Sequence, residues 1–138
     1  MEFAYRTDIG RRRPNNQDYV GIFKNQSEAT LALVADGMGG HAAGEYASKF
    51  TIEKMVEKIG SSSGKEPVAL IKEAVEKVNV LLLAEAEADA AKAGMGTTIV
   101  AATVIDGRLY AANVGDSRLY VINREHITQI TRDHSLVE

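Results

Sequence analysis

Cysteine is absent from the 138-residue chain, which removes disulfides, thiolate nucleophiles and thiolate metal sites together. Any metal must then be held by oxygen or imidazole. No apolar run approaches membrane-spanning length, and Met1-Glu2 leads on without the basic start and apolar stretch of a signal peptide. A cytoplasmic location and no membrane partner are therefore expected. A surplus of positive charge is missing as well: the net charge of -3 argues against a general attraction to nucleic acid or anionic surfaces. There is no internal repeat and no low-complexity tract. What remains is 45% hydrophobic residues, enough for one core but not comfortably for two, so residues 1–138 are expected to form a single domain.

Hydrophobic periodicity divides the chain into strands, helices and strands again. Phe3 and Tyr5 alternate with polar neighbours and predict a short strand, and Tyr19 to Phe23 predicts a second, followed by a polar turn from Lys24. Leu31-Ala32-Leu33-Val34-Ala35 is a continuous apolar run that predicts a strand buried on both faces and ending at Asp36. Ala47, Phe50, Thr51, Met55 and Ile59 fall on one stripe of a helix spanning Ala42 to Ile59. A Gly/Ser loop at 60–64 precedes a second helix that starts near Pro67 and runs to about Ala91. The period returns to two from Thr97 to Ile105 and from Arg108 to Asn113, with Asp106-Gly107 between them as a hairpin signal. Further strands are expected over Ser117–Asn123 and Ile127–Ile130. This order implies an α+β fold with antiparallel pairing rather than a parallel nucleotide-binding sheet.

Several short segments combine glycine with acids. In Asp36-Gly37-Met38-Gly39-Gly40-His41 a carboxylate follows a buried strand, and glycines hold the backbone open beside it. Such hard oxygen donors suit magnesium or manganese; the plainer reading is a tight turn. His41 precedes a helix, where it serves either as a proton donor to a leaving alkoxide or as an exposed cap. The stretch from Asp8 to Asp18 sets acids around Arg11-Arg12-Arg13, and a guanidinium grips phosphate oxygens at two points. A solvated basic loop and a nucleic-acid patch are the alternatives, the latter disfavoured by the overall charge. Gly94 to Thr98 starts a strand and Asn113 to Arg118 joins two, each open to reading as an ordinary turn, and Gly115-Asp116 by itself fits a hairpin connection better than a ligand.

Taken in order, TDIGRRRPNNQD, DGMGGH, GMGTT, NVGDSR and TRDHSLV closely resemble the motif series of the protein phosphatase 2C-like (PPM) family, in its bacterial-type branch, from Thr7 to Val137. The resemblance implies a four-layer sandwich of antiparallel sheets flanked by helices, with a binuclear Mn2+ or Mg2+ centre at its edge. Matched residue by residue, Asp36 would bridge the two metals, the Gly37 carbonyl would bind one, and Asp18 would hold metal-bound water. Asp116 would serve an additional, weaker metal site. Arg13 matches the phosphate-binding arginine and His41 the histidine near the leaving group, with Asp8, Gln17 and Asp133 as supporting groups. The implied reaction is direct attack of activated water on phosphoserine or phosphothreonine in proteins, in opposition to a Ser/Thr protein kinase.

Two departures from the family pattern qualify that expectation. Gln17 stands where many relatives carry glutamate, which removes a negative charge near the metals. Family catalytic domains also continue through a flap and further strands bearing two more metal-binding aspartates. The chain is thus expected to be a partial domain, truncated before the C-terminal strands, with little phosphatase activity of its own. A noncatalytic PPM-like binding module is the competing expectation. Unpaired sheet edges would favour strand exchange or oligomerisation.

Overall fold

Alternation of apolar and polar residues dictates a sheet with one face against helices, and that is the architecture of the computed structural model, which describes residues 2–24, 30–40, 42–60 and 66–134. Strands β1 (Asp18–Lys24) and β2 (Thr30–Met38) precede helices α1 (Ala43–Gly60) and α2 (Pro67–Ala88). A 3-10 turn over Ala90–Lys92 leads into β3 (Gly96–Thr97), β4 (Ile99–Ile105) and β5 (Arg108–Val114), followed by β6 (Tyr120–Ile122) and β7 (Ile127–Gln129). The main sheet runs β1-β2-β4-β5, wholly antiparallel, with β3 paired to the end of β2; β6 and β7 form a separate ribbon.

Local chemistry explains the clearest elements. Pro67 occupies the first turn of α2, where its missing N–H costs nothing, and the Glu66 carboxylate caps that helix by accepting from the Val68 and Ala69 amides at 3.0 and 3.1 Å. Asp106 and Gly107 both take positive φ, 51° and 76°, as a two-residue hairpin of the type matching strand twist requires. They join β4 to β5 with Ile105 facing Arg108.

The core lies between the sheet and the two helices. Leu31, Leu33 and Ala35 of β2 and Ile99 and Ala101 of β4 meet Ile52, Met55 and Ile59 of α1 and Ile71, Ala74 and Val78 of α2. Each buried Leu, Ile, Val or Met side chain of this set contributes roughly 1.5–3 kcal/mol, the alanines less. A smaller cluster of Ala43, Ala47, Leu82 and Met95 pins the segment before β3 beneath the helices.

Five expectations need correction. The Phe3–Tyr5 strand is absent: residues 2–9 have no regular structure, Tyr5 is 70% exposed, and no described strand pairs with them. Strand β2 is not buried on both faces. Its burial alternates, and Val34, 43% exposed, shares the open face with Ile22, Val104 and Leu109 because the helices cover only the other side. Nor does β2 stop at Asp36. Pairing of Gly37 with Thr97 and Met38 with Gly96 carries it two residues further, so Asp36-Gly37 is strand and not a turn. The Ser117–Asn123 strand shortens to Tyr120–Ile122, since Leu119 spends its backbone groups on the Thr131 hydroxyl and the Ile130 amide. Helix α2 likewise ends at Ala88, ahead of the expected end near Ala91. The loop expected at 60–64 lies outside the described residues beyond Gly60.

Candidate metal and phosphate site

The ends of β1 and β2 present two carboxylates to one another. Asp18 and Asp36 are register partners across the antiparallel pair, on the face away from the helices. Directly opposed residues of this kind have Cβ atoms about 4.5–5.5 Å apart, so the two acids repel one another unless a cation or proton lies between them. The Asp36 carboxyl is indeed held above the usual carboxylate range, first by burial, then by the charges of Asp18 and Asp116; Arg13 acts in the opposite sense.

Backbone contacts fix these positions. Asp18 N–H donates to Asn16 Oδ1 at 3.0 Å, and Asn16 Nδ2 donates to Thr7 Oγ1 at 2.8 Å, which folds the preceding loop back on itself. Asp8 Oδ1 accepts from Gly10 N–H at 2.7 Å in the same loop. Gly37 N–H donates to the Gln17 carbonyl at 2.8 Å. A Cβ on Gly37 would overlap the Gly44 carbonyl, and one on Gly44 would lie 2.6 Å from the Gln17 side chain. Glycine at both positions therefore lets α1, β2 and the Gln17 side chain close together. Gln17 Nε2 donates to the Gly39 carbonyl at 3.2 Å, so this side chain braces the glycine loop.

A cavity of about 590 Å³ opens over this edge, lined by Asp8, Arg13, Gln17, Asp18, Asp36, Gly37, Thr98 and Asp116 among others. Of the residues singled out from sequence, Asp8, Arg13, Gln17, Asp18, Asp36, Gly37 and Asp116 thus share one cavity. Asp133 does not line it. Its carboxylate instead takes a two-point grip from Arg118, 3.0 Å from Nε and 2.7 Å from Nη2, and accepts from Gln129 Nε2 at 3.1 Å. This contact lowers the Asp133 carboxyl below its ordinary range and raises the Arg118 guanidinium above its own. His41 and Ser135–Val137 lie outside the described residues.

The donor set is all oxygen and suits hard divalent cations. Asp18 and Asp36 converge, Asp116 adds charge from a further loop, and the Gly37 backbone lines the same wall. Among the described residues no three acidic or histidine groups close into a cage for an ion. The acids are dense enough to repel one another, and they fit one flank of a metal site.

Two residues that the sequence offered only as strand or turn positions, Thr98 and Ser117, tie the cavity wall together. Asp36 N–H donates to Thr98 Oγ1 at 3.0 Å, Thr98 N–H donates to the Asp36 carbonyl at 2.9 Å, and Thr98 Oγ1 lies 2.6 Å from Ser117 Oγ. The available signal was the placement of hydroxyl residues directly after a glycine and beside an acid, in Gly96-Thr97-Thr98 and Asp116-Ser117.

Comparison with known proteins gives a consistent answer. The sequence profile described as Protein phosphatase 2C matches residues 11–138. The chain is 38% identical over 146 residues to the serine/threonine phosphatase stp of Listeria innocua, covering 99% of this chain and 56% of that protein. It is 37% identical over 143 residues to the protein phosphatase PhpP of Streptococcus pneumoniae, at the same coverage of 99% and 56%. It thus spans little more than half the length of these curated relatives. The crystal structure of Stp1 from Staphylococcus aureus superposes with a TM-score of 0.87 at 42% identity, over 93% of this chain and 52% of that one. The catalytic domain of the phosphatase PstP in complex with two manganese ions superposes with a TM-score of 0.83 at 37% identity, over 96% of this chain and 55% of that one. The α+β expectation, with antiparallel sheet and flanking helices, agrees with these structures.

Proposed function

Since the chain belongs to the protein phosphatase 2C family, we propose that it supplies the acidic edge and the phosphate grip of a metal-dependent protein serine/threonine phosphatase. The observation that carries this reading is the single cavity shared by Arg13 and the acids Asp18, Asp36 and Asp116. Asp36, Asp18 and the Gly37 carbonyl would hold two Mn2+ or Mg2+ ions, with Asp116 serving a third, weaker site. When bound, such cations lower the pKa of water and neutralise charge on phosphoryl oxygens. Asp36 and Asp18 orient a water by accepting its hydrogen bonds. Arg13 binds the phosphoryl oxygens and draws the phosphorylated side chain toward the acids. Asp8 steadies the loop that carries Arg13, and Gln17 braces the glycine loop without adding charge. Asp133 acts at a distance, through its contact with Arg118 beside Asp116. His41 is assigned to the leaving alkoxide on the strength of its motif alone.

Residues 1–138 form a single partial domain in this reading, and the substrates are phosphoproteins modified by a serine/threonine kinase. A cytoplasmic setting belongs to the same reading. Separately, no helix among the described residues is long and apolar enough to cross a membrane. Turnover by this chain alone is low. The outer edges of β1 and β5 and the open apolar face would favour strand exchange or self-association. A second reading, a noncatalytic phosphoprotein-binding module, draws on the lack of a closed acidic cage among the described residues.

Manganese-dependent hydrolysis of a phosphothreonine peptide separates the two. Slow turnover that Asp36→Asn abolishes supports the phosphatase. Equal rates in both proteins would remove the metal mechanism, and binding of the peptide without turnover in either would favour the module.

A further inference from the structure

Thr98 lines the cavity but is only 4% exposed, and its hydroxyl is already committed. It accepts from the Asp36 amide and shares a second hydrogen bond with Ser117 Oγ at 2.6 Å. These bonds use two of the hydroxyl's three hydrogen-bonding positions, and with the residue almost wholly buried its part is to hold protein groups together. The same residue accounts for both backbone groups of Asp36, because its amide returns a bond to the Asp36 carbonyl. On its other side, Gly115 adopts φ +106°, and a Cβ there would lie 2.6 Å from Thr98 Cγ2. The loop bearing Asp116 therefore rests directly on the Thr98 side chain.

We propose that Thr98 is a positioning residue whose hydroxyl locks the Asp36 backbone to the Ser117 side of the Asp116 loop, so that carboxylates from separate strands meet a cation as one preformed unit. The proposal rests on the reading of the cavity as a cation site. Further ties hold the same loop from the far side: Asn113 Nδ2 donates to the Arg132 carbonyl at 3.0 Å, His134 N–H donates to the Gly115 carbonyl at 2.9 Å, and His134 Nδ1 accepts from the Gly115 N–H at 3.3 Å. These ties fix the loop to the chain's last described segment, whereas the Thr98 hydroxyl joins it to Asp36. Valine at this position keeps the packing shape and leaves the Asp36 amide and the Ser117 hydroxyl without partners. Serine keeps the hydroxyl and loses only a methyl group.

The test measures manganese binding, by the loss of free-ion EPR signal, and exchange of the Asp36 amide by NMR in metal-free chain. Thr98→Val is expected to weaken manganese binding about tenfold and to speed Asp36 exchange by at least about tenfold, the scale of one unsatisfied buried donor. Thr98→Ser is expected to stay near the parent chain on both readouts. Ser117→Ala should weaken the ion while leaving Asp36 exchange slow, and it decides the matter if the valine variant fails to fold. Parent-like manganese binding in Thr98→Val or in Ser117→Ala overturns the proposal. So does a serine variant as impaired as valine, since packing would then be the cause. Asp36→Asn separates the two levels: if it binds manganese as the parent does, or the parent binds none, the cation-site reading has failed too. If Asp36→Asn loses the ion and Thr98→Val keeps it, only the role of Thr98 falls.

Discussion

Asp36→Asn should stabilise the metal-free chain and destabilise it relative to the parent once manganese is added. The carboxyl is raised by burial and by the like charges of Asp18 and Asp116, so its ionised form costs folding free energy at neutral pH. The group is substantially solvent-exposed, which screens the repulsion, and a gain of about 0.5–1 kcal/mol is the appropriate scale for an exposed cross-strand pair. For a domain of this size that is a rise of roughly 2–4 °C in Tm. The sign with pH follows from the raised folded-state pKa. The penalty is fully present above that pKa and vanishes as pH falls through it, because a protonated Asp36 resembles asparagine in charge. With manganese at a hundred times its Kd, the parent should instead gain about 2.7 kcal/mol that the variant lacks. Thermal unfolding of both proteins, in EDTA and in manganese from pH 4 to 8, reads all three effects. A variant less stable than the parent in EDTA, or equally stabilised by manganese, would refute the account of the acidic edge.

Other perturbations probe the scaffold. Asp133→Asn should flatten the acid limb of the stability profile: the lowered carboxyl contributes above its unfolded pKa and loses that contribution as pH falls through its folded value, a loss that thermal scans below pH 4 would register. Gly37→Ala forces a methyl into the Gly44 carbonyl and should cost about 1–3 kcal/mol or more by urea unfolding, with loss of manganese binding. Gly107→Ala places a side chain at φ 76° and should cost about 1–2 kcal/mol on the same assay. Val34→Thr with Val104→Thr, on the open face, should change stability by less than about 1 kcal/mol in all. Light scattering should show less self-association in that double variant.

Much of this arrangement is legible in the sequence because local signals and burial agree. Pro67 behind Glu66, Asp106-Gly107 between alternating runs, and the helical stripe through Met55 and Ile59 each say what the structure repeats. Long-range pairing is what stays hidden. Nothing local to Asp36-Gly37 reveals that Gly96-Thr97 will pair beside it and keep it extended, so a strand end resembles a turn. The run from Leu31 to Ala35 reads as doubly buried because sequence gives hydrophobicity and not what lies opposite each face. Phe3 and Tyr5 alternate as a strand should, but a strand exists only with a neighbour. The grouping of the acids with Arg13 was visible through motif likeness; the bonds of Thr98 were not, since threonine at the start of a strand is common and its partner Asp36 lies sixty-two positions away.

The pairing of Asp18 with Asp36 makes the chemistry and the core proofread one another. Side chains alternate across a strand, so whichever alignment sends Leu33 and Ala35 inward must send Asp36 outward. Sliding β2 by a single residue would drive a carboxylate among Ile52 and Met55 and strand two leucines in water. A mispaired intermediate is thereby rejected by hydrophobic cost long before any ion or phosphate arrives, and mutational drift within the core leaves the acids aimed correctly as long as the alternation survives.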